Sequence, residues 1–191
     1  VADESQLIDR ALEGDRDAFT SLVELNQDRL FASMLQVTGS PEEAEDVVQE
    51  AFISAFMKLD TFQRNSQFST WIYRIAFNSA LSKRRRKRAR VSLDYCREAN
   101  GLEVVDRADG VDEPILRRER VEMVRQAMQT LTDEHRIILV LREMDENTYE
   151  DIAEILEISI GTVRSRLSRA RHQLKLSLEA VQRAEESTGS S

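Results

Sequence analysis

Apolar side chains recur along most of this chain three or four residues apart, the spacing of an α-helix that buries one face. Over 17–37, Phe19, Leu22, Val23, Leu30, Met34 and Leu35 predict one helix, which Gly39-Ser40-Pro41 ends while opening the next. That second helix covers about 42–59, with an apolar stripe of Val48, Phe52, Ala55, Phe56 and Leu59 and another face made of Asp46, Gln49, Glu50 and Ile53. Residues 62–68 read as a loop of polar side chains between two aromatics, Phe62 and Phe68. A third helix follows over about 69–88, with Ile72, Ile75, Ala76 and Ser79 as its expected buried side. The period lapses over 91–113, where Asn100-Gly101 and Gly110 act as breakers and Pro114 follows. It returns over 117–128 and 133–144, the latter capped by Thr132. Thr148 opens a capping box closed by Asp151, leading into a short helix through Leu156, and Ser159 caps a last helix reaching about residue 181.

These elements predict an all-α chain of two small helical domains, 1–90 and 114–182, joined by a flexible acidic linker over 91–113 and ending in a disordered tail, 183–191. With six Gly and two Pro among 191 residues, turn-dense β folds are disfavoured. The linker could span up to about 65–75 Å when extended, so the two domains need not touch. The longest apolar run, Ile137-Ile138-Leu139-Val140-Leu141, falls far short of the ~20 residues of a membrane span, and no signal-peptide pattern opens the chain. A cytoplasmic protein without membrane insertion is therefore expected. The one cysteine, Cys96, excludes an internal disulfide and any multi-thiolate metal site.

The net charge of −8 argues against a nucleic-acid partner until it is divided along the chain. Residues 1–62 carry 4 basic and 14 acidic side chains, whereas 63–90 carry 9 basic and none acidic. Residues 91–160 are again acidic, with 8 against 18, and 161–191 are basic, with 6 against 3. Two cationic islands in an acidic chain suggest two separate DNA contacts and leave acidic surface for basic protein partners.

The second island has the sharper pattern. Ile160, Val163, Leu167, Ala170 and Leu174 share one face of the last helix and are expected to pack on the helix through Leu156. The other face presents Arg164, Ser165, Ser168, Arg169 and His172 near the helix start, with Arg166 and Arg171 on its flanks. A helix-turn-helix needs this layout: early residues of the second helix reach base edges in the major groove, and flanking cations hold phosphates. In the first island, the run Lys83-Arg84-Arg85-Arg86-Lys87-Arg88 with Arg90 follows a polar stripe of Arg74, Asn78, Ser82 and Arg85. Beside the loop at 62–68, that stripe could hold unstacked bases. Trp71 is more in keeping with a core position than with base stacking.

The stretches Glu45-Asp46-Val47-Val48-Gln49-Glu50-Ala51-Phe52 and Phe68-Ser69-Thr70-Trp71-Ile72-Tyr73-Arg74-Ile75-Ala76-Phe77-Asn78 resemble the second conserved region of extracytoplasmic-function (ECF) sigma factors. Tyr149-Glu150-Asp151-Ile152-Ala153 and Gly161-Thr162-Val163-Arg164-Ser165-Arg166, within 131–171, resemble their fourth region. The resemblance implies a sigma factor that binds core RNA polymerase and directs initiation at promoters, with promoter DNA and an anti-sigma factor as further partners and with no cofactor. It implies that Asp46, Gln49 and Glu50 dock on the polymerase clamp. Phe62, Arg64, Asn65, Phe68, Arg74, Asn78, Lys83 and Arg85 would serve the minus-ten element. Thr162, Arg164, Ser165, Arg166, Ser168, Arg169 and Arg171 would serve the minus-thirty-five element, and the linker would thread toward the polymerase channels. Housekeeping sigma factors melt DNA with an aromatic cluster; here the matching stretch offers Trp71, Tyr73 and the loop phenylalanines, which implies weaker melting and stricter promoter choice.

Two other readings compete. A stand-alone helix-turn-helix regulator would use only the C-terminal half, as a dimer on paired half-sites. An enzyme finds little support, because His135 and His172, the only histidines, lie on separate helices without a nucleophile or ligand set beside them.

Overall fold

The computed structural model describes residues 3–94 and 115–188, with side chains over 3–87 and 120–183. Cys96, the side chains of Arg88 and Arg90, and most of the expected linker and tail lie outside the described residues. Within them the chain is helical: α1 Glu4–Leu12, α2 Arg16–Thr38, α3 Pro41–Met57, a 3-10 turn Leu59–Thr61, α4 Phe68–Asp94, α5 Ile115–Thr130, α6 Asp133–Leu139 continued by a π-turn Val140–Met144, α7 Tyr149–Leu156 and α8 Ile160–Thr188.

Side chains set the helix boundaries. The Asp15 carboxylate accepts from the backbone N–H groups of Asp17 and Ala18 at 3.0 and 3.2 Å, starting α2. Gly39 ends it in the left-handed conformation, φ 77°, where a side chain would be strained. Ser40 then caps α3 with Pro41 in the first turn. In α7 the expected capping box forms, with Asp151 N–H donating to Thr148 Oγ1 at 3.1 Å and Thr148 N–H donating to Asp151 Oδ2 at 3.0 Å.

Three differences from the expected elements have plain causes. The first is α1, which buries Leu7 and Ile8 against α2 and is too short for a periodic signal. The second concerns α4, which continues to Asp94, into the expected linker, because no Gly or Pro interrupts it there. The third is α8, which continues to Thr188, into the expected disordered tail, with Glu179 pairing one helical turn away with both Lys175 and Arg183. The sequence leaves contact between the two halves open; they touch, and their buried apolar residues form one continuous cluster.

In the N-terminal unit, α1–α4, the core is built on Leu22, Leu30, Met34, Val47, Phe68, Ile72 and Phe77. In the C-terminal unit, α5–α8, Ile137, Ile138, Leu141, Ile152, Ile155, Val163, Leu167 and Ala170 interlock α6, α7 and α8. The units meet where α4 packs on α7 and α2 on the π-turn and α6. This explains why α4 buries two faces: Ile72 and Ala76 point into its own unit, while Tyr73 reaches Asp145 and Arg84 reaches Asp133 across the seam. Among the described residues, no helix is long and apolar enough to cross a membrane.

Candidate nucleic-acid interface

The turn between α7 and α8 has Glu157 in the left-handed region, φ 54°, which ends α7 abruptly and redirects the chain. Ser159 Oγ then accepts from the Thr162 N–H at 3.1 Å and starts α8. Val163, Leu167 and Ala170 are buried against the unit, which turns Arg164, Ser165, Ser168, Arg169 and His172 outward into solvent. Arg169 lies along the helix, its Nε donating to the Ser165 carbonyl at 3.3 Å. Ile160, expected on the buried face, is 37% exposed, because it precedes the turns that pack.

The flanking residues are less available. Arg171 holds Glu143 at 2.7 and 3.0 Å, which pushes its pKa further up, and Arg166 lies 3.3 Å from Glu134. The Thr162 hydroxyl is 2.8 Å from Ser159 Oγ, within the cap.

In the N-terminal unit the loop after Phe62 carries Gln63, Arg64 and Asn65 at the surface, with Arg64 in the left-handed conformation, φ 58°, and paired with Asp9 of α1. The two loop aromatics are a correction to the sequence reading. Phe62 and Phe68 are 7% and 1% exposed, and their rings pack at 5.9 Å on each other and at 5.1 and 5.7 Å on Trp71. These rings fill the core beneath the loop, Phe62 and Phe68 meeting edge-on and both tilted against Trp71, and they turn little surface to solvent. Trp71 itself is buried, as expected, and so is Tyr73. On α4, Asn78 and Arg85 are exposed and Arg74 is half-buried.

The basic run meets the acidic face of α3. Lys83 Nζ is 2.8 Å from Glu50, which also accepts from Ser79 Oγ at 3.0 Å, and Lys87 reaches Glu43 at 2.5 Å. The Lys83 ammonium is the chief reason the Glu50 carboxyl is held below its usual range. Asp46, Gln49 and Glu50 are all exposed on one face, as their spacing predicts. The same face continues into Ile53, Phe56 and Met57, which are 54%, 50% and 76% exposed. Phe56, expected in the apolar stripe of this helix, packs edge-on against Phe19 and leaves half its surface in water, while Ala44, Val47 and Ala51 fill the core. The sequence signal for this patch was an apolar face wider than one seam needs.

Residues 22–90 match the Sigma-70 region 2 family and residues 121–174 the Sigma-70, region 4 family. The chain is 36% identical over 176 residues to the ECF RNA polymerase sigma factor SigW of Bacillus subtilis, covering 90% of this chain and 94% of that one. It is 35% identical over 185 residues to the RNA polymerase sigma-H factor of Pseudomonas aeruginosa, covering 94% and 96%. The chain belongs to the ECF sigma factors. In fold it resembles the sigma factor RpoE from Bartonella quintana, solved with the anti-sigma factor NepR, with a TM-score of 0.68, 25% identity and coverage of 84% of this chain and 96% of that one. As a sigma factor it is a non-enzymatic, DNA-binding regulator that directs RNA polymerase to promoters. Matched regions in both halves leave the stand-alone regulator unsupported, since that reading used the C-terminal half alone.

Proposed function

We propose that this sigma factor divides its work by unit. Residues 1–90 dock on core polymerase and engage the minus-ten element; residues 114–182 engage the minus-thirty-five element; the chain between joins them. In the C-terminal unit, Arg164, Ser165, Ser168 and Arg169 read bases and nearby phosphates, and Arg166, Arg171 and Thr162 brace the helix at the rim of the contact. The observation that carries this reading is the exposed Arg164-to-Arg169 face at the start of α8, where a recognition helix contacts base edges.

In the N-terminal unit, Arg64, Asn65, Arg74, Asn78, Lys83 and Arg85 bind the minus-ten strand, with Phe62 and Phe68 supporting the loop from beneath. Asp46, Gln49 and Glu50 form the polar half of the polymerase contact and Ile53, Phe56 and Met57 its apolar half, since an exposed apolar patch rimmed by charge marks a protein interface. The protein works in the cytoplasm, where polymerase and promoter are. An anti-sigma factor is its regulator, in keeping with the solved neighbour bound to NepR.

In vitro transcription with core polymerase and a promoter library tests this. The wild-type chain should give promoter-specific starts, which Asp46→Ala/Gln49→Ala and Arg169→Ala each weaken. Dimeric DNA binding without specific starts would overturn it.

A further inference from the structure

Residues 63–67 separate the two buried rings Phe62 and Phe68, and little of their own backbone holds them in place. Among the described residues, backbone hydrogen bonds tie this loop only at its ends. The Phe62 N–H donates to the Leu59 carbonyl at 3.0 Å, and the Trp71 N–H donates to the Gln67 carbonyl at 3.2 Å. Between those ends Arg64 takes the left-handed conformation, φ 58°, where its Cβ crowds the backbone and where residues other than Gly, Asn and Asp are seldom found. Such a conformation persists when surrounding groups hold it, and it is concentrated where a loop is aimed at a ligand.

Side chains supply the hold. Asn65 Nδ2 donates to Gln63 Oε1 at 3.2 Å and Ser69 Oγ to Gln67 Oε1 at 3.4 Å, but both bonds are local and move with the loop. The Arg64 guanidinium donates to the Asp9 carboxylate of α1, which ties the middle of the loop to a separate element. That element is itself braced. Leu7 and Ile8 bury its inner side against α2, and Arg10 donates through Nη2 and Nε to one Asp15 carboxylate oxygen, at 2.6 and 2.9 Å, at the cap of α2.

The pair holds Arg64 without hiding it. The Arg64 and Asp9 side chains are 39% and 58% exposed, and Arg64 engages Asp9 through Nη2, which leaves Nε and Nη1 to meet a phosphate or a base. Asp9 does not suit a DNA contact of its own, because a carboxylate repels phosphate. Whatever it does for promoter recognition passes through Arg64.

We infer that Asp9 is a positioning residue for promoter recognition: paired with Arg64, it holds the loop after Phe62 in the left-handed turn that presents Arg64 and Asn65 to the minus-ten strand. The inference rests on the assignment of this loop to the minus-ten element. Because the pair is exposed, its loss should change promoter use by about two- to fivefold and no more.

The test uses the full chain with core polymerase and a promoter library randomised in both elements. Asp9→Ala removes the carboxylate and places a good helix former in α1, so the variant should melt close to wild type. It should lower specific starts about two- to fivefold and weaken base preference within the minus-ten element, leaving preference at the minus-thirty-five element as it was. Asp9→Glu keeps the charge and should restore most of both. In an Arg64→Ala background, Asp9→Ala should do nothing further, the non-additivity of two residues that act as one pair. An equal loss with and without Arg64, or a loss spread over both elements, would give α1 a general structural role and overturn the inference. More starts from Asp9→Ala would make the carboxylate a mask over Arg64, which overturns it too. Asn65→Ala separates this failure from that of the minus-ten assignment. If Asn65→Ala flattens minus-ten preference and Asp9→Ala does not, the inference alone falls; if neither Asn65→Ala nor Arg64→Ala alters that preference, the loop does not read the element and both fall.

Discussion

The two basic islands of this sigma factor look alike in the sequence and differ in the folded molecule. On α8 the central cations and serines project into water, and Arg169 contacts only its own helix. On α4 three of the cations already have partners, Lys83 holding Glu50, Lys87 holding Glu43 and Arg84 holding Asp133, while Arg85 stays exposed. Helical spacing says which face a side chain takes but not what faces it. Availability for phosphate is thus a tertiary property, and Lys83, Arg84 and Lys87 must exchange acidic partners to meet DNA while Arg164 and Arg169 need not.

The largest effect expected separates supporting side chains from contacting ones. Phe68→Ala should cost about 3–5 kcal/mol of stability, because a ring buried against Phe62 and Trp71 leaves a cavity. Arg64→Ala at the surface of the same loop should change stability by no more than about 0.5 kcal/mol. Thermal melts of the two variants check this. A Phe68→Ala chain that melts like wild type yet fails to open promoters would return that ring to the DNA.

Next comes the contrast between the islands. Arg169→Ala should cost about 1–3 kcal/mol at the minus-thirty-five element and relax preference at one base position. Arg85→Ala should weaken all sequences alike and lower the salt slope of binding by about one. Affinity measured across a promoter library at several salt concentrations distinguishes the two, and a uniform loss for Arg169→Ala would make it a phosphate contact.

A smaller effect tests the partner exchange directly. Glu50→Gln releases Lys83, so the free chain should bind non-specific duplex DNA up to about fivefold tighter at low salt, the range of an exposed ion pair. The gain should fade at high salt as screening removes the pair's influence. Unchanged affinity at every salt would mean that Lys83 plays no part in the exchange.

Much of this was legible beforehand where the cause is local. The helix-turn-helix, the Thr148 box, the Asp46-Gln49-Glu50 face and the buried Trp71 all follow from spacing and capping chemistry. What escaped depends on contacts between distant segments. Phe62 and Phe68 flank a polar loop and look available, yet Trp71 closes over them. Phe56 fits an apolar stripe until small alanines at 44, 51 and 55 turn out to line the core. Tyr73 and Asp145 lie 72 residues apart, and no local pattern pairs them.

The smallest effect concerns the seam where the two units meet. Burial raises the Asp145 pKa above its ordinary value, against the opposing pull of Ser33, Arg29 and Tyr73. Tyr73, pushed up to about 12 by the same burial and by Asp145, remains a neutral donor throughout the working range. Unfolding returns Asp145 to water and to its ordinary pKa of 3.8. Because the folded form binds that proton more tightly, its contribution to stability is complete below 3.8 and is lost as pH rises through the raised value. This group should therefore lower the melting temperature modestly as pH climbs from acid toward neutral. Asp145→Asn, which keeps an acceptor for Ser33 and Tyr73 but cannot titrate, should flatten that part of the profile. An Asp145→Asn profile that keeps the wild-type slope would move the titration to another group in the seam and leave Asp145 with only its hydrogen bonds.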